Sequence, residues 1–306
     1  MAHIPTTPIG RFAPTPSGKL HIGNIFAALM AYLSVKSKGG KFLVRIEDLD
    51  AARCPRANAD EILSELHALG LDSEGEVLYQ SERAHVYEKY AKILIDKNLV
   101  YPCFCSRAEL HAAEAPHDSD GSYIYGGKCR TLSDDEIKEL QKKRSPALRV
   151  CVPDKDIAFD DMILGGFAQN LARGCGDFII RRSDGVYAYQ LAVVVDDALS
   201  GVTEVVRGSD LISSAPRQIW LCETLGFKPP EYAHVPLLTA ADGRRLSKRD
   251  GDSLSAYLKN FSPEKIIGIL ARAANLTPTS DPITPARLVP LYAPDKIPHS
   301  ACVLPE

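Results

Sequence analysis

The first candidate for chemistry is a histidine that follows a turn near the N-terminus. Residues 14–18 contain two prolines and a glycine, and His21 stands just before the dense helix-forming run 25–33. Proline fixes φ and glycine permits a tight turn, so the pattern predicts a strand, a loop and a helix whose first turn holds residues 21–24. A helix N-terminus offers unpaired N–H groups and a positive dipole end to a phosphate, and Gly23 leaves space for a flat base. Taken alone, the segment is equally typical of an ordinary strand-to-helix turn.

The second candidate is a basic segment far downstream. An Asp-Gly pair at 242–243 predicts a turn, and residues 244–249 after it are Arg-Arg-Leu-Ser-Lys-Arg. A mobile lysine in such a segment can stabilise the charge of a phosphate. The alternative is a solvated basic loop.

These segments resemble the motifs of one enzyme class. His-Ile-Gly-Asn at 21–24 resembles the HIGH motif of class I aminoacyl-tRNA synthetases, and Arg-Leu-Ser-Lys-Arg at 245–249 is similar to the partner motif KMSKS. Arg-Phe-Ala-Pro-Thr-Pro-Ser-Gly at 11–18 resembles the glutamyl and glutaminyl branch of that class. The long string, the order and the separation together make the resemblance specific, and it covers about residues 9–250.

The chemistry of that class needs no protein nucleophile, because the carboxylate of the amino acid attacks the α-phosphorus of ATP and pyrophosphate leaves. The protein places the reactants in line and stabilises charge on the phosphoryl oxygens. We assign those roles to His21 and Lys248, with Mg²⁺ accompanying ATP. The resemblance implies an ATP site formed by His21, Gly23, Asn24, Arg245 and Lys248. Asn24 departs from the second histidine of the HIGH motif, since asparagine donates hydrogen bonds but cannot be cationic.

The resemblance also implies a glutamate pocket. Glutamate carries two carboxylates and an ammonium group, so its pocket needs cationic forks and an anion. The resemblance places Arg11 and Arg207 against the carboxylates and Glu47 against the ammonium group, with Ser17 and Tyr189 alongside. Tyr189 also fits the apolar core of a predicted strand.

A group of three cysteines predicts a metal site. Cys103 and Cys105 form a Cys-x-Cys pair, and Cys129 follows after 23 residues. Zinc prefers four ligands in a structural site, and ligand chemistry favours a histidine as the fourth, which leaves His111 and His117 as candidates beside Tyr123 and Tyr125. The arrangement Cys-x-Cys followed by Tyr-x-x-x-Cys is similar to that of glutamyl-Q tRNA(Asp) synthetases. That resemblance implies Tyr125 as the fourth ligand of a structural zinc ion. The alternative is three unrelated thiols.

The composition is that of an ordinary globular protein, with 45% apolar and 25% charged residues. No apolar run reaches the roughly 20 residues of a membrane span, and the N-terminus lacks the apolar region of a signal peptide. We therefore expect a cytoplasmic monomer without a membrane partner. The formal net charge of −3 gives no global basic footprint, so any RNA contact must use a local basic surface.

The order of the predicted elements favours an α/β fold. Strands are predicted at 41–46, 178–181, 186–195, 202–206 and 234–238, and helices at 56–69, 83–98, 215–225 and 262–274. Glu47 follows the first of these strands, where open α/β sheets bind ligands, and Asp50 is the predicted N-cap of the next helix. Strands alternating with helices predict a doubly wound, largely parallel Rossmann-like sheet. We divide the chain into a first catalytic half (1–100), a zinc-containing insertion (101–149), a second catalytic half (150–250) and a short helical, Pro-rich C-terminal region (251–306).

The function that the resemblance implies is that of the glutamyl-Q tRNA(Asp) synthetase family. Only 57 residues follow Arg249, too few for the anticodon-binding domain of ordinary glutamyl-tRNA synthetases. The glutamyl-Q tRNA(Asp) synthetase family activates L-glutamate with ATP, without tRNA, and esterifies it to the queuosine at the wobble position of tRNA(Asp). The alternatives are a truncated synthetase that charges a tRNA 3′ end, an amino-acid ligase with another acceptor, and a non-catalytic paralogue that binds nucleotide or RNA.

Overall fold

The architecture is an α/β domain that carries a smaller antiparallel unit. The computed structural model describes residues 7–106, 109, 124–240, 244 and 253–304. The strands in this part of the chain are β1 (Ile9–Phe12), β2 (Lys41–Ile46), β3 (Leu78–Tyr79), β4 (Val100–Cys103), β5 (Ala147–Val150), β6 (Asp156–Asp161), β7 (Gly165–Asn170), β8 (Phe178–Arg181), β9 (Glu204–Gly208), β10 (Glu231–Val235), β11 (Leu238–Thr239) and β12 (Cys302–Val303).

The helices alternate with these strands along most of the chain. They are α1 (Ile22–Lys36), α2 (Arg56–Ala68), α3 (Ala84–Asp96), α4 (Asp134–Gln141), α5 (Leu171–Gly174), α6 (Tyr189–Leu199), α7 (Ser214–Thr224), α8 (Leu254–Asn260), α9 (Pro263–Ala273) and α10 (Pro285–Leu288). Among the described residues, no helix combines the length and the apolarity that crossing a bilayer requires.

The main sheet has five parallel strands in the order β10-β9-β1-β2-β3. From β1 the chain adds β2 and β3 on one side, and it later adds β9 and β10 on the other. The strand order therefore reverses at β1, and the carboxyl ends of β1 and β9 border the crevice where open α/β sheets bind ligands. The predicted doubly wound parallel sheet is confirmed.

Helix α1 is largely enclosed by the rest of the fold. Most of its apolar residues are buried, including Ile22, Ile25, Leu29 and Leu33. A helix that is apolar all round must be covered on all faces, and here the sheet covers one face while the C-terminal region contributes to the same core. This packing fixes the start of α1, where residues 21–24 lie.

The antiparallel unit differs from the expected continuation of the parallel sheet. Strand β8 is present at 178–181, but it pairs antiparallel with β5 in the sheet β4-β5-β8, and β6 and β7 form a separate hairpin. Sequence pattern alone does not specify which sheet a short apolar strand joins. The division of the chain into domains stays a prediction.

Two local expectations are wrong. The strand predicted at 186–195 is helix α6, which begins at Tyr189 and is buried from residue 191 to residue 197. A short apolar run that is buried all round has no periodicity to separate a strand from a helix. Asp50 does not cap α2, because that helix begins after Pro55; the Asp50 carboxylate instead pairs with Arg182 at 3.3 Å.

The Pro-rich C-terminal region folds back onto the α/β domain. Leu288 and Tyr292 are buried in the core that contains α1. Beyond them, β12 pairs in parallel with β11. The C-terminal region is thus part of the same packed body as the first helix.

Candidate functional site

A cavity of about 710 Å³ opens where the carboxyl ends of β1, β2, β9 and β10 meet the start of α1. Every predicted glutamate-site residue and every predicted ATP-site residue in the described part of the chain lines it: Arg11, Ser17, His21, Gly23, Asn24, Glu47, Tyr189 and Arg207. Arg245 and Lys248 lie outside the described residues. The structure thus brings eight of the ten predicted side chains to one cavity, while their individual roles stay predictions.

The start of α1 is built by contacts among its own residues. His21 has extended backbone at the N-cap position, and its N–H donates to the Asn24 side-chain oxygen at 3.1 Å. A Cβ at position 23 would lie 3.0 Å from Nδ1 of the His21 ring. The missing side chain at Gly23 therefore makes room for the histidine as well as for a ligand, and Asn24 has a capping role that its sequence position did not reveal.

A buried network of two arginines and two carboxylates contributes Arg11 and Glu47 to the lining of the cavity. Arg11 Nε donates to Asp197 Oδ1 at 3.0 Å, and Arg45 Nη1 donates to the same oxygen. Arg45 Nη2 donates to Glu47 Oε1 at 3.0 Å. The network orients Arg11 and Glu47 at the cavity wall and balances its own buried charges.

The pKa values of the two carboxylates of this network are shifted in opposite directions. Burial alone would raise the pKa of Asp197, but the charges of Arg11 and Arg45 outweigh it and lower that pKa. Burial raises the pKa of Glu47, and the charge of Arg45 only partly offsets the effect. Glu47 is therefore the carboxylate of the pair that would gain from a cationic ligand.

Arg207 is held from three directions. Its Nε donates to His234 Nε2 at 3.0 Å, Nη1 to Gln218 Oε1 at 2.8 Å, and Nη2 to the Leu211 carbonyl at 3.2 Å. A guanidinium has five N–H groups, so these three acceptors among the described residues leave two N–H groups for a ligand in the cavity.

Tyr189 brings a neutral phenol to the cavity from the first residue of α6. Burial, followed by the negative charge of Glu47, raises the pKa of its hydroxyl. The phenol therefore stays protonated near neutral pH and can both donate and accept a hydrogen bond.

The sequence analysis missed several residues that support the site: Arg45, Asp161, Asp197, Gln218 and His234. Two of them could have been recognised from the sequence. Arg45 interrupts the apolar strand β2, and Asp197 lies two positions after a run of three valines. A charged residue inside a buried segment requires a partner of opposite sign, although sequence does not say which one.

The three cysteine sulfurs of the predicted metal site lie within 4.8 Å of one another. The Tyr125 hydroxyl oxygen is 3.6 Å from Cys103 Sγ and 3.5 Å from Cys105 Sγ, and Cys105 Sγ is 3.6 Å from Cys129 Sγ. A tetrahedral zinc ion with Zn–S bonds of about 2.3 Å separates its ligand atoms by about 3.5–3.8 Å. Three sulfurs and one phenol oxygen at these spacings fit a zinc ion.

The surroundings of the cluster lower the pKa of Cys103, whereas burial raises the pKa of Cys105 to about 11 and also raises that of Tyr125. Arg149 Nε donates to Cys103 Sγ at 3.2 Å, and the Cys129 backbone N–H donates to the Tyr125 hydroxyl oxygen at 2.8 Å. The competing candidates for a fourth ligand, His111, His117 and Tyr123, lie outside the described residues. Among the described residues, Tyr125 thus brings a fourth donor atom, its phenol oxygen, to the three sulfurs.

Comparison with protein families identifies the family and the fold of the chain. The family described as tRNA synthetases class I (E and Q), catalytic domain, matches residues 9–278. The chain belongs to this family. Membership makes it a ligase-type enzyme with the class I synthetase α/β fold.

Curated relatives and solved structures refine the family assignment. A glutamyl-Q tRNA(Asp) synthetase from Neisseria meningitidis is 48% identical over 92% of this chain and 92% of its own length. One from Symbiobacterium thermophilum is 44% identical over 97% of this chain and 95% of its own. The crystal structure of a glutamate tRNA ligase from Elizabethkingia meningosepticum in complex with its amino acid superposes with a TM-score of 0.84 at 26% identity, over 98% of this chain and 67% of that one. The resemblance to glutamyl-Q tRNA(Asp) synthetases is confirmed at the level of overall similarity.

Proposed function

We propose that this class I enzyme activates L-glutamate with ATP in the absence of tRNA and then transfers the glutamyl group to the queuosine at the wobble position of tRNA(Asp). The observation that carries the first step is the meeting of Arg11, Arg207 and Glu47 around one cavity. Two guanidinium groups and one carboxylate complement the two carboxylates and the ammonium group of glutamate in number and sign. Glutamine has one carboxylate and would leave one of these two guanidinium groups without a substrate carboxylate.

The proposed function divides the substrate between two ends of the cavity. Arg11 and Glu47 are fixed by the network through Arg45 and Asp197, and Tyr189 and Ser17 add neutral hydrogen-bonding groups. The α-carboxylate of bound glutamate must then face the start of α1, where His21 and the free N–H groups of the helix can stabilise charge on the α-phosphate. Mg²⁺ enters with ATP as part of the substrate and neutralises the departing pyrophosphate.

The Cys103, Cys105, Tyr125 and Cys129 cluster is proposed to hold a structural zinc ion. When bound, the ion would cross-link the end of β4 to the segment that precedes α4. Such a link stabilises the antiparallel unit and takes no part in the reaction.

The acceptor is proposed from the named relatives, whose full length this chain nearly matches. A tRNA 3′ end is the competing acceptor, because the glutamate tRNA ligase shares the fold over 98% of this chain. The two differ in which tRNA is used and in which nucleoside carries the ester.

Activation is tested by glutamate-dependent ATP–pyrophosphate exchange in the purified protein without RNA. Exchange with glutamate, and at least about 100-fold less with glutamine, is the expected result. If no exchange is seen either without RNA or after RNA is added, a non-catalytic paralogue is favoured. Exchange only on addition of tRNA would contradict the tRNA-independent first step.

Transfer is tested with labelled glutamate and matched tRNA samples. The samples are tRNA(Asp) with and without queuosine and tRNA(Glu), each also prepared without its 3′-terminal adenosine. Label only on queuosine-containing tRNA(Asp), retained after the 3′ adenosine is removed, supports the wobble acceptor. Label on intact tRNA(Glu) that is lost with the 3′ adenosine would show a short conventional synthetase.

A further inference from the structure

A buried histidine lies directly behind the cavity, between Arg207 and an aspartate of the β6–β7 hairpin. His234 is in β10, and its side chain and that of Asp161 are both 0% exposed. His234 Nε2 accepts from Arg207 Nε at 3.0 Å, and His234 Nδ1 lies 2.6 Å from Asp161 Oδ2. Neither the motifs nor the cavity lining includes this pair.

The hydrogen-bond chemistry of this chain fixes the form of the histidine. Arg207 Nε can only donate, so His234 Nε2 must carry a lone pair. The proton of a neutral imidazole then resides on Nδ1, where it is donated to the Asp161 carboxylate. The opposite tautomer, or a protonated ring, would set an N–H of His234 against the N–H of Arg207.

Asp161 is itself fixed by the backbone around it. Its Oδ1 accepts from the N–H groups of Ile163, Leu164 and His234 at 3.1, 2.9 and 3.1 Å. Four hydrogen bonds to one buried carboxylate hold its position and its charge. The hairpin β6–β7 thus supplies a rigid acceptor for the histidine in the main sheet.

We infer that His234, held by Asp161 as its Nδ1–H tautomer, is the positioning residue that orients the Arg207 guanidinium for a substrate carboxylate. The inference rests on the proposed function, since Arg207 is there assigned to glutamate. Gln218 and the Leu211 carbonyl hold the two Nη atoms, and His234 completes the plane through Nε. Losing the Nε contact lets the guanidinium turn about its remaining bonds and leaves a buried N–H unpaired.

Two amide substitutions separate the two contacts of the imidazole. In His234→Gln the side-chain oxygen can take the place of Nε2 and accept from Arg207, whereas in His234→Asn the shorter side chain reaches only toward Asp161. We expect His234→Asn to raise the KM for glutamate by about 10- to 100-fold, the loss typical of one hydrogen bond to a charged group. His234→Gln should stay within about 5-fold of wild type, and the KM for ATP should change less than about 3-fold in both.

The readouts are pyrophosphate-exchange kinetics for both substrates and the thermal midpoint of each variant. An equal rise in the glutamate KM for both variants, or no rise in His234→Asn, would overturn the inference, because a residue with only a packing role does not distinguish the two amides. A wild-type protein without glutamate-dependent exchange would instead contradict the proposed function.

A second measurement remains decisive if either variant fails to fold. Nitrogen-15 NMR of histidine-labelled wild-type protein reports the protonation of each ring nitrogen directly. A His234 ring with protonated Nδ1 and unprotonated Nε2 supports the inference, whether or not the protein is active. Finding protonated Nε2 at neutral pH for His234 would overturn it.

Discussion

Arg11 Nε donates to Asp197 Oδ1 at 3.0 Å, although the two residues are 186 positions apart in the chain. Both side chains are more than nine-tenths buried. The bond joins β1, the strand at which the strand order reverses, to helix α6. Asp197 therefore holds Arg11 in place at the cavity wall and also balances its charge.

The first prediction concerns that counter-charge. Asp197→Asn keeps the shape of the side chain but leaves Arg11 and Arg45 with one balancing carboxylate instead of two. We expect a loss of about 3 kcal/mol in the free energy of unfolding, measured by urea denaturation, because removing one partner of a buried ion pair leaves an uncompensated charge. The matched control is Asp96→Asn, which breaks the exposed Lys92–Asp96 pair and should cost less than about 0.5 kcal/mol. Equal effects of the two variants would contradict the role of Asp197.

The second prediction concerns the pH dependence of glutamate use. Because burial raises the pKa of Glu47, this carboxylate becomes protonated at a higher pH than an ordinary glutamate and then loses its attraction for an ammonium group. The kcat/KM for glutamate should therefore fall as the pH decreases through that raised pKa, while kcat/KM for ATP changes less. In Glu47→Gln the low-pH decrease should shrink and kcat/KM for glutamate should be at least about 10-fold lower at neutral pH. An unchanged pH profile in Glu47→Gln would remove Glu47 from the glutamate site.

The sequence predicted the parts of the site that local rules determine. A turn rich in proline and glycine places residues 21–24 at a helix start, and the apolar strand before Glu47 places that carboxylate at the carboxyl edge of the sheet. The partners of these residues depend on tertiary packing. Nothing local shows that Asp197 contacts Arg11 or that His234 contacts Arg207, because these contacts cross 186 and 27 positions of chain. Helix α6 was predicted as a strand for the same reason. Its apolar run suits a buried strand and a buried helix equally well, and only the packing around it decides which one forms.

The third prediction tests the metal site. Cys103→Ser removes one of the three clustered sulfurs and should lower the zinc content of the purified protein well below one equivalent, together with its thermal midpoint. Cys151→Ser is the matched control, because Cys151 lies outside the cluster and should leave both values unchanged. Unchanged zinc stoichiometry in Cys103→Ser would exclude Cys103 as a ligand.

Tyr125→Phe tests the fourth ligand separately. The phenol oxygen lies 3.5 and 3.6 Å from two of the sulfurs, so its loss should weaken zinc binding while the three thiolates remain. We expect about a 10-fold or greater loss in competition with a chelator. Zinc affinity equal to that of wild type would leave the fourth position to another donor.

The fourth prediction concerns Lys248, which lies outside the described residues and is assigned by its place in the KMSKS-like motif. Lys248→Ala should lower the rate of pyrophosphate exchange by about 100-fold or more, because a cation that meets the transferring phosphate acts in the transition state. The dissociation constant of glutamate, measured by calorimetry, should change less than about 3-fold. Lys259→Ala, on helix α8, is the control and should leave both values near wild type. A parallel loss of glutamate binding and exchange would contradict the assignment.

The fifth prediction concerns the C-terminal strand. The Cys302 and Leu304 N–H groups donate to the carbonyls of Leu237 and Thr239, each at 3.0 Å, and Leu237 lines the cavity. The chain continues from Thr239 toward the KMSKS-like segment, and β12 pairs with the strand, β11, that precedes this segment in the sequence. We expect that releasing this strand disturbs ATP binding more than glutamate binding, since the three charged residues assigned to glutamate, Arg11, Glu47 and Arg207, lie on β1, just after β2 and on β9.

Proline substitutions at two neighbouring positions of β12 distinguish the loss of a ladder hydrogen bond from a general effect of proline on the strand. Leu304→Pro removes a ladder donor and should raise the KM for ATP by about 3- to 10-fold, whereas Val303→Pro alters a residue that is 53% exposed and alternates out of the ladder. Leu304→Ala retains the N–H and controls for the lost side chain. Pyrophosphate-exchange kinetics for ATP and glutamate compare the three variants with wild type. If Leu304→Pro and Val303→Pro behave alike, or if the KM for glutamate rises as much as that for ATP, the ladder between β11 and β12 does not position the nucleotide side of the cavity.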